Sequence, residues 1–188
     1  VVLHLRESGF IDSQFSEIRN VNPLSFVKAI NWLVSQGLKV IRIGNPNMTP
    51  IPVKRGLIDL TRVVYPPEVD IYLCARALFY YGSDSGPHSL AKTFGTKILS
   101  TNSLVQSYGR PNWLLQLRPI FDRKKNRNLS VGEIESLGLS SIESLNPYLH
   151  HNLKPGFCSC EEHVRSVQEM IEFISDGVIC KANEDMKK

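Results

Sequence analysis

Residues 25–44, "SFVKAINWLVSQGLKVIRIG", decide the fold class. Phe26, Ala29, Ile30, Leu33 and Val34 recur at three- and four-residue spacing, the signature of an amphipathic helix buried along one face. Gly37 stands where a helix C-terminal cap belongs. The next seven residues, Leu38 to Gly44, are rich in aliphatic and β-branched side chains and read as a strand. Upstream, Val1 to Arg6 has the same strand character, and a polar loop from Glu7 to Pro23 separates it from the helix. Strand, helix and strand with a short joint form a βαβ unit, whose two strands are parallel with a right-handed crossover.

The alternation continues downstream. Val63-Val64-Tyr65 is expected to be a short strand stopped by Pro66-Pro67, and Val69 to Leu78 a helix. Phe79-Tyr80-Tyr81 reads as a strand, Gly82 to Pro87 as a tight turn, His88 to Phe94 as a short helix and Lys97 to Ser100 as a strand. Such alternation predicts a doubly wound, Rossmann-like α/β parallel sheet. Beyond it, Trp113 to Ile120 is expected to be extended and partly buried, and residues 122–128 a solvated basic loop. Ser130 should N-cap a helix that Gly138 ends. Residues 140–160 look loop-rich, and a last amphipathic helix begins at Ser159 or Cys160 with Val164, Val167, Met170, Ile171 and Ile174 on one face. The expected organisation is therefore a Rossmann-like domain over residues 1–138, a loop and C-terminal helix packed on it over 139–180, and a polar tail over 181–188.

Bulk properties narrow the function. The formal charge of +4 is too mild to argue nucleic acid, and it suits a protein that handles phosphorylated small molecules. No apolar run approaches the ~18 residues of a membrane span, and no signal-peptide pattern opens the chain. Cys74, Cys158, Cys160 and Cys180 are spread as ordinary reduced thiols, and Cys158-Ser159-Cys160 is too tight for a zinc knuckle. No metal-ligand cluster is expected. The chain opens inside a strand, which suggests the downstream part of a longer protein.

In an open parallel sheet, ligands bind beyond the carboxyl ends of the strands. His4 and Arg6 fall on one side of the first strand end by the two-residue period. Arg42 and Gly44 end the second strand. Gly82-Ser83-Asp84-Ser85-Gly86 runs from a strand directly into a helix, so its amides face outward at a positive helix terminus, a ready seat for phosphate. A glycine-rich turn opposite strand-end arginines suits a diphosphate. Spacing alone leaves plainer roles open: a turn with an N-cap, surface arginines, a satisfied core histidine. Walker A, His-Glu-x-x-His and Gly-x-Ser-x-Gly motifs are absent.

The succession "LHLRESGF", "IRNVNPLSFVKAINWLVSQGLKVIRIGNPNM", "DIYLCARALFYYGSDSGP" and "FGTKILSTN", continuing through "LSVGEIESLG" and "VQEM", resembles a family of bacterial glycosyltransferases found among surface-polysaccharide biosynthesis proteins. The His-x-Arg strand end is also similar to that of fucosyltransferases, where the arginine contacts the nucleotide diphosphate. The resemblance implies the C-terminal, donor-binding half of a GT-B fold, with an upstream acceptor half missing. It implies that Arg6 is the diphosphate arginine with His4 beside it, that Arg19 and Asn20 match the family's Arg-Asn pair, and that Arg42 and Gly44 match its strand end. Gly82, Ser83, Ser85 and Gly86 match its phosphate-holding turn. The sequence departs from the family at Asp84, Pro87 and His88, and Asp84 would repel a diphosphate unless it points away or bonds a ribose hydroxyl.

The implied reaction moves a sugar from a nucleoside-diphosphate sugar to a glycan or lipid-linked acceptor, without a divalent metal or other cofactor. The implied location is the cytoplasm, with possible contact at the inner face of the membrane. A non-catalytic nucleotide-sugar-binding module and a pyruvyl-type transferase on a related frame stay open as alternatives.

Overall fold

The computed structural model describes residues 1–8, 18–52, 55–105 and 111–176. Its elements run β1 (Val2–His4), α1 (Val27–Ser35), β2 (Val40–Arg42), β3 (Leu57–Asp59), α2 (Glu68–Arg76), β4 (Phe79–Gly82), α3 (Gly86–Thr93), β5 (Lys97–Ser103) and β6 (Trp113–Leu117). There follow β7 (Ile120–Asp122), β8 (Arg127–Asn128), α4 (Val131–Ser136), α5 (Asn146–His150), β9 (Leu153–Pro155) and α6 (Cys160–Asp176). Most of the expected loop at 7–23, the thiol of Cys180 and the tail at 181–188 lie outside the described residues.

The first six strands form one sheet in the order β3-β2-β1-β4-β5-β6, every neighbouring pair parallel. This is the doubly wound Rossmann order, and its direction reverses between β1 and β4. Buried on both faces, the strands send alternate residues to opposite layers. Leu3, Tyr81 and Leu99 meet α1 and α6, in a core with Phe26, Ile30, Leu33, Val167 and Met170. Val2, Tyr80 and Ile98 meet α2 and α3, in a core with Cys74, Ala91 and Trp113.

The helix of residues 25–44 forms as its periodicity dictates, preceded by a 3-10 turn over Pro23–Phe26. It ends at Gly37, whose φ of +79° lets Gly37 N–H reach the Val34 carbonyl and Leu38 N–H the Leu33 carbonyl. α4 carries the expected Ser130 cap as a reciprocal capping box with Glu133.

One local expectation is corrected. The third strand is Leu57–Asp59, not Val63–Tyr65. Val63 and Val64 are exposed, because sheet membership went to the segment that pairs Leu57 with Val40 and Asp59 with Arg42. Residues 140–160 are loop-rich as expected, and within them lie α5 and β9, the latter joining β7 and β8 in a small antiparallel sheet of order β8-β7-β9. The basic stretch at 123–127 is the hairpin turn of that sheet, closed by Asp122, which accepts hydrogen bonds from Lys124 N–H and Lys125 N–H. Lys125 and Arg127 both pair with Glu133, so part of the basic charge is matched locally. Ile18, Ile120, Ile134, Leu139, Tyr148 and Leu153 form a third apolar cluster under this sheet. Among the described residues no helix is long and apolar enough to cross a membrane.

Candidate functional site

The crevice where the strand order reverses lies between the carboxyl ends of β1 and β4. His4 pairs with Gly82 there. Gly82 has φ +148°, and a Cβ on it would stand 1.9 Å from the His4 carbonyl oxygen, so glycine is required by the close approach of the two strands.

Beyond Gly82 a chain of buried hydrogen bonds fastens the two strand ends. Ser83 N–H donates to the His4 carbonyl at 3.2 Å, and Arg6 N–H donates to Ser83 Oγ at 2.8 Å. Tyr80 Oη donates to the Ser83 carbonyl at 2.7 Å and lies 3.1 Å from Ser85 Oγ, which is 3.0 Å from His4 Nδ1. Proton accounting orders the chain. Tyr80 gives its only proton to the carbonyl, so Ser85 O–H donates to Tyr80 Oη and His4 Nδ1–H donates to Ser85 Oγ. His4 is then a neutral Nδ1–H tautomer with Nε2 as an acceptor. Burial, followed by the charges of Arg42 and Arg6, pushes its pKa down to about 4, so it stays uncharged near neutrality.

Ser83 and Ser85 were expected as phosphate ligands. Ser83 is 1% exposed, and its hydroxyl oxygen accepts the Arg6 N–H across the β1–β4 joint. Ser85 is the N-cap residue of α3 but makes no side-chain cap bond, because its hydroxyl is turned inward to Tyr80 and His4. Ser85 thus leaves the first-turn amides of α3 without its cap, at the positive end of the helix. Gly86 sits at that end, exposed, and a Cβ there would meet nothing within 4 Å.

Two arginines converge on the same end. Arg6 follows β1. Its guanidinium pKa is lowered from the usual value first by burial and then by the charge of Arg19, while Glu143 and Asp84 act in the opposite sense. Arg19 follows Ile18 in a short 3-10 turn and pairs with Glu143, Nε to Oε2 3.3 Å. Val21 N–H donates to the Arg6 carbonyl, which draws this segment against the strand end. Asn20 contributes its backbone: its carbonyl accepts from Arg118 Nη2 at 2.6 Å. Asp84 is turned onto α3, where its Oδ1 accepts from His88 Nδ1 at 3.1 Å. That bond, then the charges of His88, Arg19 and Lys92, keep its carboxyl below the usual range despite burial.

Arg42 is not part of this cluster. It is fully buried, with Nη1 on the Thr49 carbonyl and Asp59 and Nη2 on Glu7. Its guanidinium ties the ends of β1, β2 and β3 together, with its charge met inside the fold by Glu7 and Asp59. Gly44, at the end of β2 with φ +145°, makes room for Met48, whose Sδ would lie 2.4 Å from a Cβ there.

Sequence reasoning missed Glu143, which arrives from a distant segment with no local signal. It also missed Arg118, 5% exposed, which bonds the Asn20 and Gly156 carbonyls and stacks on the Phe157 ring at 4.8 Å. An arginine inside the buried run Trp113 to Ile120 was the available clue. Among the described residues no group of three or more His, Cys, Asp and Glu is gathered so that it could hold a metal ion.

Strand order and the crevice at the reversal together define a Rossmann-like α/β unit. Among solved structures, the chain is similar to the bacterial iron-containing dodecameric glycosyltransferase TibC from enterotoxigenic E. coli H10407, with 15% identity and a TM-score of 0.51 over 94% of this chain and 46% of that one. It is also similar to the dodecameric iron-containing heptosyltransferase TibC in complex with ADP-D-β-D-heptose, with 21% identity and a TM-score of 0.40 over 60% of this chain and 30% of that one. The chain thus spans about half the length of the first structure or less of the second, and the likeness is one of fold. No family model matches the chain, and no curated protein matches it.

Proposed function

We propose that this chain is the donor-binding half of a GT-B-type glycosyltransferase, which moves a sugar from a nucleoside-diphosphate sugar to a glycan or lipid-linked acceptor in surface-polysaccharide synthesis. The observation that carries this is that Val21 N–H bonds the Arg6 carbonyl, which brings the Arg19 segment to the end of β1 in the crevice beside the N-terminus of α3, where Ser85 makes no cap bond. Two guanidinium groups at a positive helix end suit a diphosphate, which competes for them with the carboxylate of Glu143. The fold likeness to TibC supports the same frame.

In this mechanism the arginines and the α3 amides stabilise the diphosphate as it leaves the anomeric carbon, so negative charge grows where donors already point. Neutral His4, locked through Ser85 and Tyr80, keeps the β1 end fixed beneath them and offers Nε2 as an acceptor. Asp84 is drawn onto His88, which offsets part of its repulsion of a phosphate. The acceptor site, and the general base that takes the acceptor's proton, are assigned to a half outside these 188 residues. Synthesis is placed at the cytoplasmic side of the membrane, with no metal given a role in charge stabilisation.

A thermal-shift panel of UDP, GDP, CDP, ADP and their sugars tests this. A ligand at ten times its Kd should add about 1.4 kcal/mol by mass action, a rise of roughly 3–6 °C for a chain of this size. No rise with any diphosphate at millimolar concentration refutes the donor-site assignment. A rise with phosphoenolpyruvate alone would move the chain to a pyruvyl-type transferase.

A further inference from the structure

Glu143 reaches the phosphate end from another part of the fold. It lies between Leu139 and α5, in the segment that covers the small antiparallel sheet. The backbone around it is held: Tyr148 Oη donates to the carbonyls of Leu139 and Ile142, and Ile142 N–H donates to Leu139. A fixed segment therefore delivers the carboxylate to Arg19.

The contact it makes there is an incomplete one. Nε and Oε2 are 3.3 Å apart, yet Arg19 Nε–H is enclosed without a hydrogen-bond partner, so the pair is held by charge and not by an aligned bond. The side chains are 27% and 34% exposed, and solvent screening leaves pairs this open worth little. The same carboxylate acts on Arg6 as well. A phosphate group carries more charge and can take an arginine through two parallel bonds, so it outcompetes a single misaligned carboxylate.

We propose that Glu143 is an internal competitor for the donor's phosphates, holding Arg19 through its carboxylate until a diphosphate displaces it, and so sets the affinity of the site. This rests on the donor-site assignment above.

Calorimetric titration of the full 188-residue chain with inorganic pyrophosphate tests it, using Glu143→Gln and Glu143→Asp beside the wild type. Glu143→Gln removes the charge and should bind about 3- to 10-fold tighter. Glu143→Asp keeps the charge but withdraws it from Arg19, and should recover at least about half of that gain on a logarithmic scale. Melting temperatures of all three check that the fold is unchanged. Equal or weaker binding by Glu143→Gln overturns the competitor role, and so does a gain in Glu143→Gln with none in Glu143→Asp, which would make the carboxylate a general repulsive charge. If neither the wild type nor Glu143→Gln binds pyrophosphate, the phosphate seat itself is refuted. Binding by the wild type with no change in the variants refutes the competitor alone.

Discussion

Gly82→Ala is the substitution whose consequence the geometry states most sharply. The new Cβ would stand 1.9 Å from the His4 carbonyl oxygen and 2.9 Å from the His4 carbonyl carbon, both backbone atoms that cannot swing aside. Reaching even 3.0 Å requires β4 to withdraw from β1 by about 1 Å, against a register in which His4 faces Gly82. Alanine must also hold φ +148°, a conformation that costs an L-residue about 1–3 kcal/mol. Overpacking against a fixed backbone adds about 1–3 kcal/mol. The sum, roughly 2–6 kcal/mol, is a large share of a typical folding free energy and should lower Tm by about 5–20 °C. The Ser83-to-His4 and Arg6-to-Ser83 bonds would be strained by the same movement. Gly86→Ala is the control: its Cβ meets nothing, its backbone is helical, and the change should stay within about 1 kcal/mol. Thermal melts followed by circular dichroism decide the matter. A Gly82→Ala protein melting within about 3 °C of the wild type refutes the close-approach argument.

Other substitutions separate the frame from the binding end. Arg42→Met leaves Glu7 and Asp59 without their cation and should cost about 3–5 kcal/mol in urea denaturation; an unchanged midpoint would mean the ion pairs contribute nothing. Arg6→Ala should lose about 1.5–3 kcal/mol of diphosphate binding with little loss of Tm, since its side chain lies beyond β1; equal losses of both would make it a structural residue. His163 is fully buried against Phe26, with both ring nitrogens enclosed and unpartnered, and burial pushes its pKa down to about 4. Above pH ~6.5 it is neutral folded or unfolded. As pH falls from ~6.5 toward 4 the unfolded chain takes the proton first, so stability drops by up to about 1.4 kcal/mol per pH unit. His163→Phe should flatten that part of the Tm–pH profile, leaving the similar contribution of His4; an identical slope in the variant refutes the assignment.

Local pattern was enough wherever one element's chemistry sufficed. The periodicity of residues 25–44, the glycine at 37 and the capping box at 130–133 each depend on neighbours within a turn, and each formed as read. Alternation of strands and helices was likewise enough for the parallel sheet, because buried parallel strands admit few other arrangements. The location of the crevice followed, and with it the placement of His4, Arg6, Gly82 and Gly86 at one end of the sheet.

Partners distant in the chain were decided only by the tertiary structure. Val63-Val64 has stronger strand character than Leu57-Ile58-Asp59, yet register with β2 and the reach of Asp59 to Arg42 chose the latter. Arg42 and Arg6 look alike at two strand ends, but Glu7 and Asp59 enclose one and leave the other beside Arg19. Ser83 and Ser85 carry hydroxyls suited to phosphate, and only the nearness of Tyr80, His4 and the Arg6 amide shows that those hydroxyls lock the joint. Gly82 and Gly86 are the same residue four positions apart: one is forced by a carbonyl 78 positions away in sequence, the other stands in open space. Glu143 meets Arg19 across 124 positions, a juxtaposition no local spacing encodes, because charge acts through space and the chain fixes that distance only once it has folded.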